Sequence, residues 1–214
     1  MSRDRVGIDL WGVAALGFAA VVTAVVVFQP LVPPSWLFRD PLYVAAVSGD
    51  CCRSYYGAAS NLGVLVWTVG ASVAAAAAFV LWRRGADRNE TLFFAAAAIL
   101  TGAVAVDDLY MVHEIVLPRL GVPQTLILAA YGAAGVAYLV VFRKRLLASG
   151  GWAFLLAIVA LGLSIGVDAV IKHQPEAIMV AEDAAKFFGS CLWSAFHVRI
   201  ALEALEGDRR AQSG

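Results

Sequence analysis

With 214 residues, 61% of them hydrophobic and only 15% charged, and a mean hydropathy of +0.79, the chain lies well outside the composition of soluble domains and reads as an integral membrane protein. Its formal net charge is zero, and no basic stretch is interleaved with aromatics, which argues against a nucleic-acid partner.

Six apolar segments are long enough to span a bilayer, because roughly 20 helical residues cover a hydrocarbon core of about 30 Å. They fall near 8–29, 57–82, 91–117, 124–147, 152–172 and 177–202. The expected fold is therefore all-α, a polytopic bundle of six transmembrane helices. No linker divides it, so residues 1–214 form a single transmembrane domain. The first segment is read as a retained helix and not a secretory signal, since no A-x-A-like site follows before Gln29-Pro30. The outer loop 30–56 carries Pro33-Pro34 and the interfacial aromatics Trp36, Tyr43, Tyr55 and Tyr56, which suits a segment lying on the membrane surface. Small residues at 71–79 and 94–103, with the Gly162-x-x-x-Gly166 pair, predict close helix packing.

Lysine and arginine fix the orientation. Eleven of them (Arg3, Arg5, Arg83, Arg84, Arg88, Arg143, Lys144, Arg145, Arg199, Arg209 and Arg210) fall on one side, against Arg39, Arg53, Arg119 and Lys172 on the other. This predicts a multi-pass protein of the plasma (inner) membrane with the N- and C-termini cytoplasmic. A homo-oligomer stays open.

The polar residues converge in depth. On a rise of 1.5 Å per residue, Asp107 and Asp168 each lie about sixteen residues, roughly 24 Å, from the cytoplasmic starts of their helices. Glu182 and Asp183 lie roughly 8 Å inside the outer end of the last helix, and Ser60 and Asn61 arrive at nearly that depth. On a helical wheel Asp107, Tyr110 and Glu114 share a face, with Asp108 and His113 flanking it. Glu182 and Lys186 are spaced i, i+4 for an ion pair, and Ser164, Asp168 and Lys172 share a line. If these faces meet, they enclose a chamber holding up to six carboxylates near the outer leaflet. An aspartate at a helix centre costs about 2.5–3.5 kcal/mol even on permissive scales, so such a cluster must take protons, pair, or hold a cation. The bland alternative is that Glu114, His113 and Lys172 snorkel to water.

Asp107, Asp108, Asp168, Glu182 and Asp183 are the candidate metal or proton ligands. His113 and Glu114 are the candidate catalytic acid–base groups, and Ser60, Asn61 and Lys186 the candidate substrate contacts. Oxygen-rich ligation suits a divalent metal cation such as calcium, magnesium, manganese or iron; zinc fits less well, because H-E-x-x-H and C-x-x-C are absent. The expected function is a metal-dependent hydrolase acting on a membrane lipid. Two alternatives stay open: a proton- or cation-coupled transporter, and an accessory protein whose polar cluster only fixes helix register. His197 is expected at the cytoplasmic interface. Cys51 and Cys52 are adjacent on the outer loop, too close to bridge each other without strain, while Cys191 lies deep in the last helix.

Over two helices, Ser60, Asp107, Asp108 and His113 resemble the polar set of the ceramidase and progestin-receptor superfamily of membrane hydrolases, which implies a serine, an aspartate and three histidines around zinc. The chain departs from that pattern in having six expected spans where seven are typical, and in lacking His-x-x-x-His, so no membership follows.

Overall fold

A computed structural model of the protein describes residues 9–51, 53–149, 151–171 and 175–212, which contain helices and no strand. The order is α1 (Leu10–Phe28), α2 (Pro34–Phe38), α3 (Pro41–Ser48), α4 (Ala58–Arg83), α5 (Arg88–Tyr110), a π-helical turn (Val112–Val116), α6 (Leu117–Arg119), α7 (Gln124–Val141), α8 (Arg143–Ser149), α9 (Trp152–Val170) and α10 (Glu176–Gln212). Four of these, α1, α4, α5 and α7, are long and apolar enough to cross a membrane, whereas α9 is apolar over the shorter Trp152–Asp168.

α10 is long, at 37 residues, but too charged near its start to read as a simple apolar span. Its composition follows from its position at the centre of the bundle, against α1, α4 and α9. Leu192, Phe196, His197, Ile200 and Ala201 are all buried, so this helix offers little surface to lipid and is free to carry polar groups that face protein. Gly189 lets α9 approach. A Cβ there would lie 2.6 Å from the Leu161 side chain and 3.2 Å from its backbone nitrogen. By contrast Gly162 and Gly166, expected to mediate packing, are exposed and meet no neighbour, because the opposite face of α9 is the one turned to α10.

The ends of the elements follow local chemistry. Asp9 caps α1 by accepting from the Gly12 N–H at 3.1 Å, and Asp87 caps α5 through the N–H groups of Asn89 and Glu90. Asp40-Pro41 opens α3, with the Asp40 carboxylate accepting from Tyr43 N–H at 2.8 Å and proline at the first helical position. The surface segment between α1 and α4 is thus two short helices. Gly57 locks it to α4: its φ is +66°, its N–H donates to Trp36 O at 2.9 Å, and a Cβ would press into Pro41 and the Arg39 carbonyl.

The third expected helix does not run straight to residue 117. It stops at Tyr110 because Met111 adopts a left-handed conformation, φ +50°, the only non-glycine residue described with positive φ. The π turn that follows changes the angular register. His113 is thereby buried beside the Asp107 carboxylate, whereas Tyr110, the last residue of the regular helix, is 63% exposed.

Candidate functional site

At the end of the bundle that carries the segment between α1 and α4, the helices part around a cavity of about 520 Å³. Asp107 and Asp108 reach it from α5, His113 and Glu114 from the π turn, Ser60 from α4, Asp168 from α9, and Glu182, Asp183 and Lys186 from α10. Nine of the ten residues singled out in the sequence thus line one space. The tenth, Asn61, is exposed on α4 and does not line it: one residue further along the helix turns its side chain by 100°. Lys172 and Cys52 lie outside the described residues.

Each polar group's partner is set by helix rotation. Asp107 accepts from the backbone N–H of His113 at 2.9 Å and also contacts its ring Nδ1, so the ring is held at two points. The Tyr131 hydroxyl of α7 faces the same carboxylate. His113 Nε2 then lies 3.4 Å from Glu114 Oε1, whose side chain is 47% exposed. Lys186 does not pair with Glu182 along its own helix. Its Nζ donates across to Asp108 Oδ1 at 2.7 Å, tying α10 to α5, while Glu182 accepts from Ser164 Oγ on α9. Asp168 accepts from Gln124 Nε2 at 3.4 Å. Asp183 makes no hydrogen bond or ion pair among the described residues.

Because Met111 ends α5, His113 and Glu114 lie beyond that helix. Burial pulls the His113 imidazole down, but its hydrogen bonds to Asp107 and Glu114 prevail and lift its pKa to about 10. The hydrogen bond from His113 in turn holds the Glu114 carboxyl below its ordinary range, against burial. Asp40, on the surface segment, is pushed upward chiefly by burial. The resting pair is therefore an imidazolium beside a carboxylate.

The surface segment also supplies groups that the sequence reading passed over. Arg39, Asp40 and Tyr43 line the cavity, as do Gln124, Thr125 and Met179. The signal was present: Arg39 and Asp40 are the only charged residues between positions 10 and 49. The guanidinium of Arg39 lies over the Tyr43 ring, 4.1 Å from its centroid, and no carboxylate of the described residues lies within ion-pairing distance of it.

With most carboxylates engaged in this way, no group of three or more His, Cys, Asp or Glu among the described residues converges to hold a metal ion. Cys51 is disulfide-bonded, and Cys191 is free and buried against Ala19 and Phe187.

Towards the end opposite this cavity the bundle is closed by aromatics. Phe93, Phe94, Tyr138, Trp193 and Phe196 are all buried, with Phe154 and Phe196 rings 4.5 Å apart. His197, expected at the interface, is 1% exposed in their midst. Its Nδ1 donates to Trp193 O at 2.9 Å, which leaves Nε2 to accept from the Tyr138 hydroxyl at 2.9 Å. Trp193 Nε1 donates to Thr101 Oγ1, also at 2.9 Å, so this layer is polar inside yet fully partnered.

Among known proteins, a family model described as Domain of unknown function (DUF8692) matches residues 13–200. No curated protein and no solved structure matches the chain.

Proposed function

The chain belongs to the DUF8692 family, and we propose that it is a six-helix membrane enzyme that hydrolyses a membrane lipid with an acid–base pair, His113 and Glu114, reached from the outer leaflet. The reading adds α9 and α10 to the four apolar helices as spans. It takes the eleven-to-four asymmetry of basic residues as support for cytoplasmic termini in the plasma (inner) membrane. A C-terminal topology reporter active outside the cytoplasm would overturn that arrangement.

One observation carries the enzymatic reading: His113, fixed by Asp107, presents Nε2 to Glu114 at the cavity wall. This geometry supports a balanced cycle. Glu114 accepts a proton from water as the water oxygen bonds to the acyl carbon or phosphorus of the lipid. The bond to the leaving oxygen breaks, and His113 Nε2 donates its proton there. The proton held by Glu114 then passes to His113 over the 3.4 Å contact, and both groups are restored. No step is routed through a metal. Calcium, magnesium, manganese or iron would need Asp168, Glu182 and Asp183 to leave their present positions and gather.

The aromatic layer weighs against a transporter. A proton or cation entering the cavity meets Phe93, Trp193 and Phe196 where a conduit would need ionisable groups or water. A purely structural role fits poorly with a cavity of about 520 Å³ and a carboxylate, Asp183, left without a partner.

The test is turnover of labelled lipids by purified protein in liposomes. Glu114→Gln should lower the rate about 10²–10⁴-fold. The cycle needs Glu114 ionised and His113 protonated, so the rate should rise through an acidic limb below the ordinary glutamate range and fall as pH passes about 10. No turnover of ester- or phosphate-linked lipids, or a Glu114→Gln rate equal to wild type, would sink the proposal. Stoichiometric metal in chelator-free protein, lost in Glu182→Gln, would replace the pair with a metal centre.

A further inference from the structure

The cavity holds two opposite charges that do not neutralise each other. Arg39 comes from the surface segment, and its plane is held by the Tyr43 ring. Asp183 comes from α10 and lies further in, where it lines both the main cavity and a small void behind it next to Trp67 and Ser190. The two form no ion pair with each other, and the ammonium of Lys186, which also acts on Asp183, is already bonded to Asp108. Every other carboxylate of the wall is committed: Asp108 to Lys186, Asp107 and Glu114 to His113, Glu182 to Ser164, Asp168 to Gln124, and Asp40 to the backbone of Tyr43.

A half-buried acid without a hydrogen-bond partner among the described residues, facing a guanidinium that meets only Met179 Sδ and the Tyr43 ring, is costly unless the acid takes a proton or a ligand bridges the two. The bridging group must carry an anion for Arg39 and a cation for Asp183, joined by a short spacer. Arginine's planar fork suits phosphate oxygens, and a carboxylate suits an ammonium. A volume of about 520 Å³ falls within the ~300–1,000 Å³ range of small-ligand sites. Phe38, Leu128 and Ile171 in the same wall provide apolar surface for the start of an acyl chain.

We propose that the cavity selects a phosphoamine group, the phosphate on Arg39 and the ammonium on Asp183, so that the lipid handled is a zwitterionic amine phospholipid. This rests on the lipid reading above and names the headgroup class. The same chemistry is offered by a soluble phosphoamine, and the measurement must separate the two sources.

Binding to full-length protein in detergent would be followed by calorimetry with three probes: dihexanoyl phosphatidylethanolamine, dihexanoyl phosphatidylglycerol and free O-phosphoethanolamine. The amine lipid should bind at least about tenfold tighter than the glycerol lipid. Asp183→Asn should erase that preference, Asp183→Glu should restore part of it, and Arg39→Gln should weaken both lipids. Free O-phosphoethanolamine binding as tightly as the amine lipid would keep the phosphoamine site but overturn the lipid as its source. Equal binding of the two lipids by wild type, or a preference that survives Asp183→Asn in protein with wild-type thermal unfolding, would overturn the proposal. Turnover without headgroup preference defeats this inference and leaves the enzymatic reading standing; headgroup-selective binding without turnover does the reverse.

Discussion

The two ends of the bundle treat buried polarity in opposite ways. At the closed end, His197, Tyr138, Trp193 and Thr101 form a chain in which the donors and acceptors find each other, sealed by phenylalanine rings. At the open end, carboxylates surround a space large enough for a ligand, and Asp183 and Arg39 have no ion-pair partner among the described residues. A polar network that is complete rigidifies a core, whereas one left incomplete around a cavity is an open valence for something else. Polarity by itself does not mark the working site; the unfilled part of it does.

The largest expected effect comes from breaking the charge pair that ties α10 to α5 at the cavity. Lys186→Met strands Asp108, 10% exposed at its side chain; because the Lys186 side chain is 38% exposed and water screens part of the pair, the cost should be about 2–3 kcal/mol of stability, read as a fall in thermal unfolding temperature in detergent. Adding Asp108→Leu removes the stranded charge and should recover most of the loss. If the single variant is as stable as wild type, Asp108 is reaching water and the outer site is wetter than the contrast requires.

A smaller effect is expected where the two regions meet. Gly189→Ala puts a methyl 2.6 Å from Leu161 Cγ and 3.2 Å from its backbone nitrogen, so α9 must move as well as the flexible side chain. The helix propensity gained, about 1 kcal/mol, offsets part of the overpacking, leaving a net loss of about 1–2 kcal/mol. Because α9 carries Ser164 and Asp168 to the cavity, the same substitution should also weaken ligand binding, which a change confined to the inner layer should not.

Much of this arrangement was legible in the chain. Aspartates inside alanine- and valine-rich segments are expensive wherever they sit, so Asp107, Asp108 and Asp168 announced a common layer by depth alone. The starts of α4, α7 and α9 followed from hydrophobic length to within about one residue. Pairing was not legible, because it depends on rotation between helices: Lys186 chose Asp108 over a partner one turn away on its own helix. The register of His113 was hidden by Met111, a residue with no marked tendency to positive φ, so a regular wheel set His113 to the side of Asp107 where the two in fact meet. Arg39 and Asp40 were passed over because a surface segment has no depth from which to argue. His197 was misjudged for the opposite reason: its depth says nothing about burial when α10 is surrounded by other helices and continues to Gln212.

The smallest expected effect is the sharpest test of the contrast. Tyr138→Phe keeps the ring that stacks on Phe93 at 5.6 Å and touches Phe142 at 5.3 Å, and deletes only the hydroxyl. His197 must keep its proton on Nδ1, since the Trp193 carbonyl can only accept, so the change leaves Nε2 as a bare acceptor in an apolar layer. Interhelical hydrogen bonds of this kind in membrane proteins average about 0.6 kcal/mol, and the loss should be of that order, with lipid turnover unchanged. A structural pair predicts that split: a measurable shift in unfolding and none in rate. If Tyr138→Phe instead slowed turnover as far as Glu114→Gln does, the inner pair would belong to a proton path through the aromatic layer. The bundle would then have one continuous polar axis, and the transporter reading would displace the enzyme.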